Sequence, residues 1–319
     1  MWLGEKDWVF NKRLISLARK AGEYLCRMNQ ETVQIFGEGV GAEIALMGAE
    51  LQVLKREGSN NVLWQKDDAI WNRVAPNLFP IVGRLKGDAF SWGGKTYAMK
   101  QHGFARDRKF EVLQHDEDAV LLGLRSDDQT RAQYPFEFAF RVRYRFEKAV
   151  LWVDYITENI GDEALLYSVG GHPGFALRGA LQGHSLVFSE AGEPVGFSAA
   201  RRLIEGGYYA GKTASVEVDV SGLPLSDALF ESDAIVFNDP PFDAVTLVDA
   251  KGDAMLDFYC WEWDAVGFWT KPGAPFFCIE PWWGWADDAD SDGRFELKRG
   301  LHRLEPGEVE TVSYGLGLR

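Results

Sequence analysis

Residues 138–146 read Phe-Ala-Phe-Arg-Val-Arg-Tyr-Arg-Phe, an alternation of large apolar side chains with alanine or arginine. Successive side chains of a β-strand point to opposite faces of a sheet, so this period of two predicts a half-buried strand with an arginine-rich outer face. Residues 147–148 follow as a turn, and the apolar alternation resumes over 151–155. The stretch 138–156 is therefore predicted to form an antiparallel hairpin.

Short β-like runs of the same kind recur from about Glu31 to the end of the chain, separated by Gly, Asn and Asp. No proline- or serine-rich linker, low-complexity tract or internal repeat divides them. Many strands with few helical patterns predict an all-β protein, a large sandwich or barrel, in which residues 31–319 form a single domain. The further predicted strands cover 32–36, 50–55, 111–125, 165–169, 184–188, 215–220, 234–238, 244–249, 254–259, 265–270, 275–280 and 309–318.

The first 30 residues follow a different, helical pattern. Their apolar side chains recur every three or four positions, which predicts an amphipathic helical extension over residues 1–30. We expect the apolar stripe to pack on the β domain or on a partner subunit, so a homodimer is one of the expected arrangements. A targeting helix is the alternative that the basic residues allow and that Glu5, Asp7 and Glu23 weaken. The stripe consists of Val9 or Phe10, Leu14, Leu17, Ala21, Leu25 and Met28.

Composition and charge exclude several classes of function. The formal net charge of −14 argues against nucleic acid as a partner, because binding to phosphates requires a footprint of lysine and arginine. No stretch approaches the ~18 consecutive apolar residues of a membrane span. Three cysteines without zinc-site spacing predict a reduced, cytoplasmic protein with no metal centre. The acidic run 287–292 lacks the EF-hand spacing and is predicted to be a solvated turn.

Two short islands each hold one titratable side chain in a stiff, nearly uncharged frame. They read GGHPGF at 170–175 and CIEPWWG at 278–284. A proline directly follows His172 and Glu280, which favours extended backbone at both residues. An imidazole with an ordinary pKa of ~6.5 and a carboxyl group with one of ~4.3 can move protons in both directions near neutral pH. The islands predict acid–base chemistry on a small molecule.

Two further islands, LFPIVGRL at 78–85 and QHGFARD at 101–107, contribute Arg84, His102 and Arg106. The guanidinium fork suits the hydroxyl or carboxylate oxygens of a ligand, but it serves equally well to tie down a buried carbonyl group. The three remaining histidines stand in polar or turn-like contexts and are predicted to lie on the surface. They are His115, His184 and His302.

Twelve tryptophans are many for a chain of 319 residues. Aromatic faces stack on the C–H patches of sugar rings, although most of these side chains are expected simply to fill the core of a sandwich. Trp282, one position after Pro281, is the exception that we expect to line a site.

Taken together, these islands resemble the aldose 1-epimerase (galactose mutarotase-like) family, and most closely its bacterial branch. The matching blocks keep their order and spacing over residues 31–319, and they end in a late Pro-Gly-Glu turn. The resemblance implies a large single-domain β-sandwich of the supersandwich type and an isomerase that needs no cofactor. The blocks stand at 78–85, 101–107, 170–175, 271–287 and 306–308.

The resemblance also implies a mechanism on a free monosaccharide. Glu280 would be the general base that removes the proton of the anomeric C1 hydroxyl, and His172 would be the general acid that protonates the ring oxygen. The ring would open to the aldehyde, rotate about C1–C2 and close again as the other anomer.

Four further residues would bind the sugar by the same resemblance. His102 would lie near the ring oxygen, Arg84 would hold sugar hydroxyl groups, and Trp282 would form a wall of the pocket. An aspartate is expected between the two main islands, with Asp233 as the first choice and Asp239 as the second.

Three other functions remain open at this point. A non-catalytic sugar-binding or sugar-sensing protein could share the fold, because a fold does not fix a function. A glycoside hydrolase would need a carboxyl pair drawn from Glu262, Asp264 and Glu280. A hexose-phosphate epimerase would need several basic residues at the mouth of the pocket.

Overall fold

The computed structural model describes residues 31–319, so the predicted helical extension at 1–30 lies outside the described residues. Within this range the structure is almost entirely β, with a single one-turn α-helix, α1 (Asp128–Arg131), and four short 3-10 turns. No helix in this part of the chain is long and apolar enough to cross a membrane. The strands are β1 (Thr32–Gly37), β2 (Val40–Ala45), β3 (Leu51–Arg56), β4 (Asn77–Leu78), β5 (Ala89–Trp92), β6 (Lys95–Ala98), β7 (Glu111–His115), β8 (Ala119–Arg125), β9 (Phe138–Glu147), β10 (Val150–Asn159), β11 (Leu165–Tyr167), β12 (Val169–Gly171), β13 (Gly174–Ala176), β14 (Ser185–Glu190), β15 (Glu193–Pro194), β16 (Phe197–Glu205), β17 (Tyr208–Val218), β18 (Leu223–Pro224), β19 (Ile235–Asn238), β20 (Ala244–Val248), β21 (Ala254–Tyr259), β22 (Ala265–Trp269), β23 (Phe276–Trp283), β24 (His302–Leu304) and β25 (Val309–Leu318).

Two large antiparallel sheets dominate the architecture. The first has ten strands in the order β15-β14-β20-β21-β25-β10-β9-β8-β7, with β18 attached to β14. The second has eight strands in the order β17-β16-β19-β22-β23-β12-β4, with β13 attached to β23. Smaller sheets are formed by β1-β2-β3, by β5-β6 and by β11-β24.

The two large sheets pack face to face around an aromatic core, which confirms the predicted β-sandwich. Phe175 of the eight-stranded sheet meets Phe258 of the ten-stranded sheet edge to face, with ring centroids 6.5 Å apart. The sheets approach each other closely at Gly171 of β12, where an added Cβ would lie only 3.0 Å from the Tyr155 hydroxyl and from the Tyr314 ring. A glycine is therefore required where β12 crosses these two tyrosines.

The hairpin predicted from the alternation at 138–146 is confirmed as β9 and β10, whose register pairs Phe146 with Leu151. The turn itself falls one residue later than predicted, on Lys148 and Ala149, and Lys148 adopts a left-handed φ of 57°. The arginine face is neutralised by acids, since Arg143 and Arg145 both bind the carboxylate of buried Asp154.

One predicted strand proves to be two. The run predicted over 111–125 folds back on itself as β7 and β8, which pair in antiparallel register. The acidic residues 116–118 stand at the bend, where they are solvent-exposed. A charged, exposed triplet is disfavoured in the middle of a strand and favoured in a turn, so the local polarity overrides the apolar character of the flanking residues.

Candidate active site

A cleft of about 810 Å³ opens beside the eight-stranded sheet. Strands β22 and β23, the loops before β4, β7 and β19, and the β16–β17 turn contribute to its walls. Five of the six residues predicted for the site line it, namely His102, His172, Asp233, Glu280 and Trp282. These side chains come from four separate segments of sequence, which the sandwich brings to one place.

The alignment of β12 and β13 on β23 positions His172 opposite Glu280. Gly170 of β12 pairs with Trp282, and Gly174 of β13 pairs with Cys278. The same register continues across the gap between the two short strands and therefore sets His172 opposite Glu280. The His172 N–H leaves the β23 ladder and donates instead to the Pro76 carbonyl at 3.1 Å. Cross-strand neighbours of this kind are close enough for their side chains to touch.

The side chains of this pair are in contact. His172 Nε2 lies 3.2 Å from Glu280 Oε2, and both side chains are at least nine-tenths buried. Burial disfavours the charged form of each group, so it raises the pKa of Glu280 well above the usual range of a carboxyl group. Burial lowers the pKa of His172, and the positive charge of Arg106 lowers it further.

Two neighbours act on Glu280 in opposite directions. The negative charge of Asp233 raises the pKa of Glu280 further, whereas the Trp282 indole N–H lowers it by donating to Oε2 at 3.3 Å. Trp282 can reach this position because Gly267 faces it, and a Cβ there would lie 3.0 Å from the indole ring. Asp233 has a left-handed φ of 81°, and the surrounding cleft wall raises its pKa by desolvation.

His102 is held in one tautomer by Gly83, which lies in the loop after β4. The backbone N–H of His102 donates to the Gly83 carbonyl at 2.8 Å, and the backbone N–H of Gly83 donates to the ring nitrogen Nδ1 of His102 at 3.1 Å. Burial, together with the charges of Arg106 and His172, holds the pKa of His102 well below its usual value. A neutral imidazole that accepts at Nδ1 carries its proton on Nε2. His102 therefore has an Nε2–H donor available for a ligand.

The two candidate arginines are placed differently. Arg106 lines the cleft, where its NH2 group donates to the Gln101 carbonyl at 2.7 Å and its buried Nε has no hydrogen-bond partner. Arg84 does not line the cleft, because its guanidinium group binds both carboxylate oxygens of Asp88 at 2.8 and 2.9 Å. Its side chain lies against Gly207, a residue of the cleft rim. The structure thus brings Arg106 to the site and leaves Arg84 at the edge.

Two tryptophans that the sequence did not single out form an aromatic wall around His172. The Trp71 ring lies over the imidazole with centroids 5.0 Å apart, and Trp269 meets it edge-on at 5.5 Å. Both rings are partly exposed and line the cleft. Trp269 stands two residues before the start of the 271–287 block and could have been suspected from that position, whereas no motif marks Trp71. Trp282, by contrast, is only 5% exposed.

The remaining histidines lie away from the cleft. The surface prediction for His184 was wrong, because the residue is 1% exposed and neither ring nitrogen has a hydrogen-bond partner. His302 is partly buried, stacks on Trp283 and binds the Asp264 carboxylate at 2.7 Å. Asp264 is therefore engaged with His302 and does not line the cleft that contains Glu280, which weakens the glycoside hydrolase alternative.

Comparison with known proteins decides the family. The family model described as aldose 1-epimerase matches residues 32–290. The chain belongs to the aldose 1-epimerase family. This confirms the family predicted from the sequence motifs, and it supports an isomerase-type enzyme with a general mutarotase or epimerase role.

Two solved structures and one relative in sequence match this chain over nearly their whole length. A galactose mutarotase related enzyme from Lactobacillus acidophilus is 32% identical with a TM-score of 0.84, and the match covers 90% of this chain and 97% of that one. A galactose mutarotase-like protein from Lactobacillus casei is 25% identical with a TM-score of 0.81, covering 90% and 100%. The chromosomal protein LacX of Lactococcus lactis is 26% identical over 89% of this chain and 98% of its own.

Proposed function

We propose that this protein is an aldose 1-epimerase that interconverts the α and β anomers of a free monosaccharide, with Glu280 as general base and His172 as general acid. The observation that carries the proposal is the 3.2 Å contact between His172 Nε2 and Glu280 Oε2 in a cleft large enough for a monosaccharide. The C1 hydroxyl oxygen and the ring oxygen are bonded to the same carbon. An acid and a base that serve these two oxygens must therefore lie close together.

The reaction balances without any other reactant. The Glu280 carboxylate takes the proton of the C1 hydroxyl, and the C1–O5 bond breaks as the C1 oxygen becomes a carbonyl. The His172 imidazolium donates its proton to O5. Rotation about C1–C2 presents the other face of the aldehyde, and the reverse transfers close the ring and return both protons to where they began.

The cycle begins when a neutral imidazole and a carboxylate share one additional proton. With that proton on the carboxyl group the pair is neutral, and with it on His172 the pair is a carboxylate beside an imidazolium. The two forms differ only in the position of the proton across the 3.2 Å contact. A C1 hydroxyl that donates to Glu280 and a ring oxygen that accepts from His172 favour the charged form, so sugar binding prepares the pair for catalysis.

The sugar contacts follow from the donors and acceptors of the cleft. We assign the Nε2–H of His102 to a position near the ring oxygen and the Asp233 carboxylate to ring hydroxyl groups. The unpartnered Nε of Arg106 supplies a guanidinium donor inside the cleft. Arg84 contributes only if its side chain leaves Asp88. The apolar walls of the cleft are supplied by Trp71, Trp269 and Trp282.

The charges of the cleft favour an unphosphorylated sugar. Its lining includes Glu205, Glu231 and Asp233 in addition to Glu280, and these acids oppose a phosphate dianion. Lys271, the other permanent cation of the lining besides Arg106, donates to the Ile70 carbonyl. A hexose-phosphate epimerase is therefore the weaker candidate.

The test is NMR exchange spectroscopy on a panel of free aldoses. We expect the protein to accelerate exchange between the α and β signals of at least one aldose, and to leave the corresponding methyl glycoside and 6-phosphate unaffected or weakly affected. A methyl glycoside is the matched control because it has no C1 hydroxyl proton to lose. Binding without acceleration of any aldose would favour the non-catalytic sugar-binding or sugar-sensing protein instead.

A further inference from the structure

The thiol of Cys278 lies beside the acid–base pair, although the proposed reaction does not use it. Cys278 stands two residues before Glu280 on β23, so both side chains point to the same face of the strand. Potential ligand atoms of His172, Cys278 and Glu280 lie within 4.8 Å of one another, and all three residues are buried. The buried Nδ1 of His172 has no hydrogen-bond partner, so no hydrogen bond at this nitrogen fixes the ring in its contact with Glu280.

The three groups form the ligand set of a thiophilic divalent cation. Zinc and its heavier relative cadmium prefer thiolate and imidazole ligands, accept a carboxylate, and commonly bind three protein groups with a fourth position open. A thiolate and a carboxylate together balance the two charges of the ion, so the loaded site would bury no net charge. Hard cations such as Mg²⁺ prefer oxygen ligands and gain little from this set.

We propose that Cys278, His172 and Glu280 form a binding site for a thiophilic divalent cation such as Zn²⁺ or Cd²⁺, and that the bound ion blocks the reaction. The ion enters from the cleft, which His172 and Glu280 line, and reaches the fully buried thiol behind them. The thiol proton and the proton shared by His172 and Glu280 leave to solvent as the ion binds, which frees the thiolate, the carboxylate and the imidazole lone pair as ligands. The ion then occupies the lone pair of His172 Nε2 and an oxygen of Glu280, so sugar and metal compete.

The chain offers a matched control in Cys260. This thiol is as buried as that of Cys278, but it follows β21 and packs in the main aromatic core. Among residues 31–319, no group of three potential metal ligands includes Cys260. A buried thiol alone therefore predicts no metal binding at Cys260.

The experiment is a titration of the full-length protein with Cd²⁺, followed by the ultraviolet thiolate-to-cadmium charge-transfer absorption. All samples carry Cys26→Ser, because that thiol lies outside the described residues. We expect one equivalent of Cd²⁺ to produce the absorption in this background and in Cys260→Ser, and Mg²⁺ to leave it unchanged. Cys278→Ser should lose the absorption, and His172→Asn should keep it with at least about tenfold weaker affinity, because one of three ligands is lost.

Loss of the absorption in Cys260→Ser, or its retention in Cys278→Ser, would overturn the site. So would unchanged affinity in His172→Asn, a variant that keeps the thiol and so guards against misfolding of Cys278→Ser. Only the blocking of the reaction rests on the proposed function. If Cd²⁺ binds through Cys278 but the metal-free protein does not accelerate anomer exchange, the proposed function alone is contradicted. If exchange is normal but Cd²⁺ does not bind, the metal site alone is contradicted.

Discussion

His172 Nε2 and Glu280 Oε2 lie 3.2 Å apart because β12 and β13 both align on β23 in one continuous register. The contact makes the two groups a single titrating unit. Below the pKa at which this unit loses its shared proton the pair can cycle between its two forms, and above it no acid remains. We therefore expect kcat/KM to fall on the alkaline side as that proton is lost.

Replacement of Asp233 should shift the pH at which kcat/KM falls on the alkaline side, which we call the alkaline limb of the pH profile. The Asp233 carboxylate raises the pKa of Glu280 by charge repulsion, so Asp233→Asn lowers that pKa and shifts the limb to lower pH. Asp239→Asn is the matched control, because Asp239 does not line the cleft. The measurement is the pH profile of kcat/KM for all three proteins. Equal limbs in wild type and Asp233→Asn would contradict the assignment of Asp233 to the site.

Removal of the Trp282 indole N–H should shift the same limb in the opposite direction. The indole stabilises the Glu280 carboxylate, so Trp282→Phe raises the pKa of Glu280 and moves the limb to higher pH. Trp283→Phe is the control, since the Trp283 indole donates to Glu310 at 3.0 Å instead. A limb that moves to lower pH in Trp282→Phe would show that the indole does not act through this hydrogen bond.

Arg106→Ala should lower kcat/KM by about tenfold or more, the effect of losing one charge-assisted hydrogen bond to a sugar hydroxyl. Arg303→Ala, which removes a largely exposed guanidinium group paired with Glu305, serves as the control and should change little. Steady-state kinetics on the best aldose provide the comparison. Arg84→Ala belongs in the same series: a loss as large as that of Arg106→Ala would show that Arg84 leaves Asp88 when sugar binds.

The backbone beneath His172 depends on Asn77. Its amide group donates to the carbonyls of Gly48 and Ala49 at 2.9 and 2.8 Å and accepts from the Tyr155 hydroxyl at 2.7 Å. Because Asn77 pairs with Gly171 of β12, it links the strand that directly precedes His172 to Tyr155 of the ten-stranded sheet.

Asn77→Leu leaves these buried groups without partners and should lower the free energy of unfolding by about 2–4 kcal/mol. Urea unfolding measures the change, with the exposed Asn60→Ala as control. A loss no greater than that of Asn60→Ala would contradict the linking role.

Local patterns predicted the fold well. The alternation at 138–146 arises because one face of β9 is buried and the other is partly exposed. The polarity of each side chain is sufficient to indicate on which face it lies. The turn was misplaced by one residue, and the bend at 116–118 was missed, because boundaries depend on a few side chains rather than on a repeated pattern.

The site was predictable only in part. The motifs named His172, Glu280 and His102, but the contact between His172 and Glu280 depends on the register of β12, β13 and β23, which no local sequence pattern predicts. His184 was misjudged because a turn-like sequence does not reveal what packs over it. Trp71 carries no signal at all, since a partly exposed tryptophan beside a cleft has the same sequence context as one in a core.

The most direct test of the acid–base account is the α/β exchange rate of the best aldose with wild type, Glu280→Gln, His172→Asn and the double variant. We expect each single substitution to lower the enzyme-dependent rate by about 10²–10⁴-fold. The double variant should be little slower than the worse single variant, because the two groups act as one unit. Exchange at the wild-type rate in either single variant, in protein that unfolds like wild type, would contradict the account.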